Sequence, residues 1–217
     1  MNIIVKDNTS REVLVSDTRS LSFHVGKNAS LTLKYALFHQ LDQIEIKGEL
    51  NKNAKLKTVF ADFSSGNSQI NAKINLNEEG ADASWDLASL ASKKDKKKFD
   101  ISFIHHQGNT KANMQNYGVA LDESFLTFSG INHIEKNAKK SNTNQSAKII
   151  VFDKTAHGKA NPILKIDEND VLASHAAIVG SLNENHLFYL KSRGLNEKKA
   201  KALIVYGYLK PIAKNFD

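Results

Sequence analysis

Cysteine is absent from all 217 residues, so disulfides, thiolate nucleophiles and Cys-ligated metal sites cannot be built within this chain alone. Any thiolate at a shared site must come from a partner. No window approaches the roughly 18 consecutive apolar residues of a membrane span. Met1 to Asn8 shows no basic stretch leading into a long apolar run, so the chain reads as cytoplasmic with no membrane partner. Also missing are a Gly-x-Ser-x-Gly elbow, a phosphate-cradling Gly-x-x-x-x-Gly-Lys loop and a His-Glu-x-x-His helix. The expectation is a protein that is not an enzyme.

What is present is an ordinary globular composition. With 41% hydrophobic residues the chain can bury a substantial core, as one domain with an appendage or two small ones. The formal charge of +7 would permit attraction to phosphates. Its densest run, Lys93 to Lys98, has no interleaved aromatics on which bases could stack. It reads as a solvated loop between strands, with a docking patch as the second reading, and nucleic acid is not the expected partner.

Two prolines, 11 glycines and many short alternating stretches predict β structure through the first four fifths of the chain. Residues 31–37, 43–48, 54–60, 70–76 and 100–104 all place apolar side chains at every second position. Turn-like segments ending at Ala29, Ala54, Ala81, Thr110, Ala138 and Val171 recur between the strands. That period suits a solenoid whose coils each supply several short strands and bury their faces only by stacking. A β-sandwich with irregularly spaced turns is the alternative.

After residue 180 the period changes to 3.6. Asn183 is placed to cap a helix through Leu187, Phe188 and Leu190, with Gly194 ending it. Asn196 then caps a second helix. Its stripe of Ala200, Leu203, Ile204, Gly207 and Tyr208 should pack on the solenoid or the first helix, while Glu197, Lys198, Lys199 and Lys201 face water or a partner.

The segments Asn169-Asp-Val171, Ser174-His-Ala-Ala-Ile-Val-Gly180, Leu187-Phe-Tyr-Leu190 and Ser192-Arg-Gly-Leu195 keep a characteristic order and spacing. Together they resemble the C-terminal signature of the SufB/SufD family, leaning to the SufD side. The likeness is specific from about residue 100 onward. Three looser matches lie upstream: His106 to Thr110, Phe128 to Gly130, and Ala156 to Ile166. The resemblance implies a mainly β fold, a right-handed parallel β-helix over residues 1–180, with a short C-terminal helical segment over 181–217. It reads as a short form without the family's N-terminal helical region, so features of that region, including any flavin association, are not carried over.

The implied function is a non-catalytic scaffold in SUF-type iron–sulfur cluster assembly. The resemblance implies a SufB-like partner, or a second copy forming a homodimer, met through Val171, Ala173, Ala177 and Val179. It implies that a SufC-like ABC ATPase docks on Leu187, Phe188, Tyr189, Ser192, Arg193, Gly194 and Leu195. His175 corresponds to the family histidine at the cluster-forming contact. No cofactor is expected in the isolated chain, and a transient Fe–S cluster is expected at the interface of the complex. A neutral imidazole binds iron well, and beside a partner's thiolate it gives mixed N/S ligation. The residues alone also fit a core histidine hydrogen-bonded within its coil. Ala173 stands where SufD proteins often carry a cysteine, so that thiol's role is absent here.

Residues 171–179 are apolar on both faces, which predicts a strand buried on both sides, with one face filling the core and the other needing a partner or the terminal helices to cover it. The adjacent His105 and His106 would point to opposite faces and cannot chelate one metal together; a loop or coil-edge place is expected. His157 reads as a turn residue one coil before the signature. His24, His39, His133 and His186 have no recognisable companions in sequence. Glycan binding or cleavage, with Asp167, Glu168 and Asp170 as acids, and a basic nucleic-acid binder are the competing functions. Those three acids read better as turn formers.

Overall fold

A computed structural model describes residues 1–216. These form fourteen strands: β1 (Asn2–Val5), β2 (Ser10–Ser16), β3 (Ser20–Val25), β4 (Ser30–Leu37), β5 (Gln43–Leu50), β6 (Lys55–Asp62), β7 (Ser68–Leu76), β8 (Asp82–Ala91), β9 (Lys96–His105), β10 (Lys111–Ala120), β11 (Phe125–Ile134), β12 (Asn142–Val151), β13 (His157–Ile166) and β14 (Leu172–Ser181). Helices α1 (Glu184–Ser192) and α2 (Glu197–Ala213) follow. Odd strands make one seven-stranded parallel sheet and even strands another. Each strand pairs with the strand two further along, never with its neighbour in sequence, so the chain winds as a parallel β-solenoid rather than a sandwich of hairpins.

Alternation explains how each strand finds its face. In β7 every second residue, from Ser68 through Leu76, is buried. In-register stacking lines those inward residues up from coil to coil. The rings of Tyr35 and Phe60 stack at 4.5 Å between centroids, Phe60 and Trp85 at 5.7 Å, and Phe99 meets Phe128 edge-on at 5.5 Å. Each fully buried large apolar side chain contributes about 1.5–3 kcal/mol, and each such ring pair roughly 0.5–1.5 kcal/mol more.

The turns carry a second ladder. Asn8, Asn28 and Asn53 adopt φ of 58°, 53° and 54°, a region in which Asn is tolerated. Asn28 Nδ2 donates to Asn8 Oδ1 (3.1 Å) and Asn53 Nδ2 to Asn28 Oδ1 (3.0 Å). Gly80 follows Asn53, and a Cβ there would lie 2.1 Å from Asn53 Oδ1. The repeat read from sequence is real, with one correction. Ala29, Ala54, Ala81 and Thr110 each precede strands that pair in register, but their next equivalent is Ser141, not Ala138. Asn137 and Lys140 both take positive φ (73° and 58°), so two tight turns follow one another and lengthen that coil by two residues.

Two polar groups enter the interior against expectation. Lys97, within the run assigned to a solvated loop, is the second residue of β9 and is buried with Asp62. His105, assigned to a loop or coil edge, is fully buried near the end of β9, while His106 points outward.

Asn183 caps α1 by accepting from Asn185 N, and Gly194 ends the turn at φ 91°. Asn196 caps α2 through Lys199 N. Helix α2 lies on the outer face of the even sheet, where Leu209 and Ile212 pack on Val59, Ala88 and Val119. The predicted stripe is shifted: Ala200 is buried, but Leu203 is 48% exposed and the anchors lie further along. Lys201 is half-buried and pairs with Asp153 at 3.3 Å instead of facing water alone. Among the described residues no helix is long and apolar enough to cross a membrane.

Candidate functional site

The solenoid ends unequally. In its first coil Ile3, Val5, Val13 and Val15 close over one another and are buried. The last coil does not close. Strands β13 and β14 each have only one neighbour in their sheets, leaving a row of unpaired backbone groups along the other edge. Leu172 through Val179 are all exposed, which corrects the expectation of a strand buried on both sides. Strand β14 pairs only with β12, as β2 pairs only with β4, but where β1 and β2 carry Ile3, Val5, Val13 and Val15 inward, the last coil carries mostly small residues that do not cover one another.

Register shows which side chains face this open end. Ala173, His175, Ala177 and Val179 align with Thr143, Gln145, Ala147 and Ile149, which are buried inward residues of β12. From β13 the inward positions hold Gly158, Ala160 and Pro162, aligned with Leu126, Phe128 and Gly130. The inward residues of the terminal coil are mostly small, so they cannot span the gap between the sheets as the larger pairs do lower down. His175 therefore sits on the core face of its strand and is still exposed. Below it, Gln145 Nε2 donates to Ile163 O (2.9 Å), tying β12 to β13. Beside it on the outer face, Ser174 donates to Asn144 Oδ1 (2.8 Å), which holds β14 in register. Val171 is half-buried in the turn leading into the strand.

The predicted helical residues lie together on and after α1. None of α1 is buried, and Phe188 and Tyr189 are 74% and 56% exposed. Ser192 Oγ donates to Tyr189 O (2.7 Å), and the Arg193 guanidinium lies 5.3 Å from the Tyr189 ring centroid. Leu195 N donates to Leu190 O across Gly194, which fixes the exit of the chain. A cleft of about 920 Å³, not foreseen from sequence, separates α1 from the last coil; Val179, Gly180 and His157 face Phe188 and Lys191 across it. Ion pairs Lys191–Glu197 (3.4 Å) and Lys201–Asp153 (3.3 Å) brace its helical wall.

The remaining histidines divide. His157 is the first residue of β13 and stacks on Phe125 at 4.6 Å. His39 and His133, without companions in sequence, each hold a carboxylate at 2.7 Å, from Asp17 and Asp167. The His133 bond is the leading cause holding the Asp167 carboxyl below its usual range. Glu168 accepts from the backbone of Asn137, Asn169 and Asp170, as a turn former does, and these bonds keep its carboxyl low. Among the described residues no three His, Cys, Asp or Glu side chains gather closely enough to hold a metal ion.

Residues 3–208 match the core domain described as SUF system FeS cluster assembly, SufBD core domain. The chain belongs to the SufBD core family. Within that family it is 40% identical over 114 residues to the iron–sulfur cluster assembly protein SufD of Bacillus subtilis, covering 52% of this chain and 26% of that one. It is 34% identical over 111 residues to an iron–sulfur cluster assembly SufBD family protein of Mycobacterium bovis, covering 51% of this chain and 13% of the relative. A Staphylococcus saprophyticus SufBD family protein is 27% identical over 136 residues, 63% and 29% of the two chains. The aligned regions thus span less than a third of the curated relatives' length. In this SufBD core chain the open last coil and α1 both carry exposed apolar side chains, among them Leu172, Ile178, Phe188 and Tyr189.

Proposed function

We propose that this SufBD core chain is a SufD-like scaffold of iron–sulfur cluster assembly. The uncapped last coil receives a SufB-like partner, and α1 docks a SufC-like ABC ATPase. The observation that carries the reading is His175 exposed on the core face of a strand whose edge is unpaired. A partner strand added there would satisfy the edge and cover Leu172, Ile178 and Val179, which are 68%, 57% and 46% exposed. The same addition would bring His175 to the joint.

The nascent cluster is cargo in this scheme. His175 offers one imidazole, and the chain has no thiolate, so the partner supplies the sulfur ligands and the chain holds no cluster by itself. Ala173 and Ala177 flank the histidine on its face and leave room for partner side chains. Chemistry and ATP hydrolysis belong to the complex.

Co-purification of wild type and His175→Ala with the SufB-like and SufC-like proteins of the same source, scoring assembly and anaerobic cluster content, tests the reading. The expected result is a complex that survives the substitution and loses cluster. Failure of the wild-type chain to bind either protein would overturn it.

A further inference from the structure

Inside the solenoid, where β10 and β12 of the even sheet face β11 and β13 of the odd one, lies a void of about 10 Å³. Met114, Phe128, Ala147 and Pro162 give it apolar walls, and Ser146 borders it from the outward side of β12. Room is left because Gly130 has no side chain: a Cβ there would lie 2.2 Å from Gln145 Oε1 and 3.0 Å from Met114 Sδ. A single water needs roughly 10–15 Å³ by the same measure.

Two amide groups give this apolar chamber its polar part. Asn116 is only 2% exposed, and its Oδ1 is buried and accepts from no group among the described residues. A buried carbonyl oxygen left without a donor is unfavourable, since it has lost the hydrogen bonds that solvent gave it. Gln145 is equally buried, and its Nε2 donates to Ile163 O at 2.9 Å. A backbone carbonyl can only accept, so that bond fixes which end of the amide is which and turns Oε1 toward Gly130 and the void.

We propose that this void is a binding site for one water molecule, which donates one hydrogen bond to Asn116 Oδ1 and the other to Gln145 Oε1. The ligand has to be a donor twice over and no larger than one heavy atom, and water meets both conditions. A divalent metal ion would want about six oxygens, and the other walls are largely apolar. An ammonium ion would bring a charge to a chamber that no carboxylate lines. Met114 aligns with Gln145 and Asn116 with Ala147, so the two amides belong to successive coils. The water thereby ties β10 to β12 from within. None of its lining residues comes from β14 or from the helices, so the site is independent of the scaffold reading.

Crystals of the full chain, diffracting well enough to show ordered solvent, test the proposal. The expected result is a solvent peak roughly 2.6–3.1 Å from both amide oxygens. Asn116→Leu keeps the volume and removes the acceptor, so the peak should vanish. In solution, oxygen-17 relaxation dispersion should count one long-lived water fewer in this variant, with the circular dichroism spectrum unchanged. Gln145→Met serves the same purpose if Asn116→Leu fails to fold. Absence of the peak in the wild-type chain, or an undiminished peak and dispersion in the variant, overturns the proposal. So does an anomalous signal at this position after a rubidium chloride soak, which would make it a cation site.

Discussion

Lys97 Nζ donates to Asp62 Oδ1 across 2.9 Å with neither side chain reaching solvent. The ammonium also donates to Ser64 O (2.7 Å), and the carboxylate accepts from Ser64 N and Oγ and from Ser68 Oγ. The pair thereby pins the corner between β6 and β7 to β9. Removing one partner strands a buried charge. Lys97→Ala should cost about 3–5 kcal/mol in urea denaturation, and Lys97→Met with Asp62→Leu much less than two such losses. Equal costs for single and double variants would show that the pair is not the source.

The buried imidazole of His105 is bonded to Thr110 Oγ1 at 2.7 Å, and burial, with the charges of His106 and His133, pushes its pKa down to about 4. The unfolded chain, titrating near 6.5, then binds more protons than the folded one between those values. Stability should fall as pH drops from about 6.5 to about 4, by on the order of 3 kcal/mol, and this loss should level off below. His105→Gln should flatten that part of the stability–pH curve. An unchanged slope would remove His105 as its cause.

Asp86 projects from β8 on the sheet face that α2 covers, and burial raises its carboxyl pKa despite the nearby Lys57 ammonium. The folded state therefore favours the protonated acid, and stability contributed by this group declines as pH rises from the ordinary carboxylate value through the raised one. Asp86→Asn should be more stable than wild type at pH 7 and differ little at pH 3, as read from thermal midpoints.

Gly194 takes φ 91° at the end of α1, where a side chain adds strain. Gly194→Ala should cost about 1 kcal/mol of helix stability and leave the solenoid intact. If α1 docks the ATPase, binding weakens in isothermal titration while the strand circular dichroism signal is unchanged.

Ala177 faces the open end with nothing above it. Ala177→Glu should leave the isolated chain within about 0.5 kcal/mol of wild type, as exposed substitutions do. In the proposed complex the carboxylate would be buried beside an apolar partner, and association should be lost in size-exclusion chromatography. A complex of normal stability would place the partner elsewhere.

The regular part of the fold was legible because it is local. Alternation over residues 43–48 or 70–76 decides which face is buried wherever the strand lies, and Asn at 28 and 53 marks turns because it tolerates positive φ. The Lys-rich segment at 135–140 misled the register, since one turn and two turns in succession have the same composition. His175 is proposed through the family resemblance and not through its own neighbourhood, which carries no ligand pattern. The void between Asn116 and Gln145 left no sequence signal, because its walls come from four separate strands.

By itself the sequence determined the strand alternation, the helical ending, both asparagine caps and the absence of any thiolate, because each depends on residue type or on neighbours within a few residues, whereas the parallel pairing of every strand with the one two further along joins distant residues. Only the tertiary structure decided that Lys97 and His105 are interior, that His39 and His133 hold carboxylates, and that the strand bearing His175 is exposed. Burial in a solenoid depends on which coil lies above and which below, and Leu172 to Ser181 has a coil on one side alone.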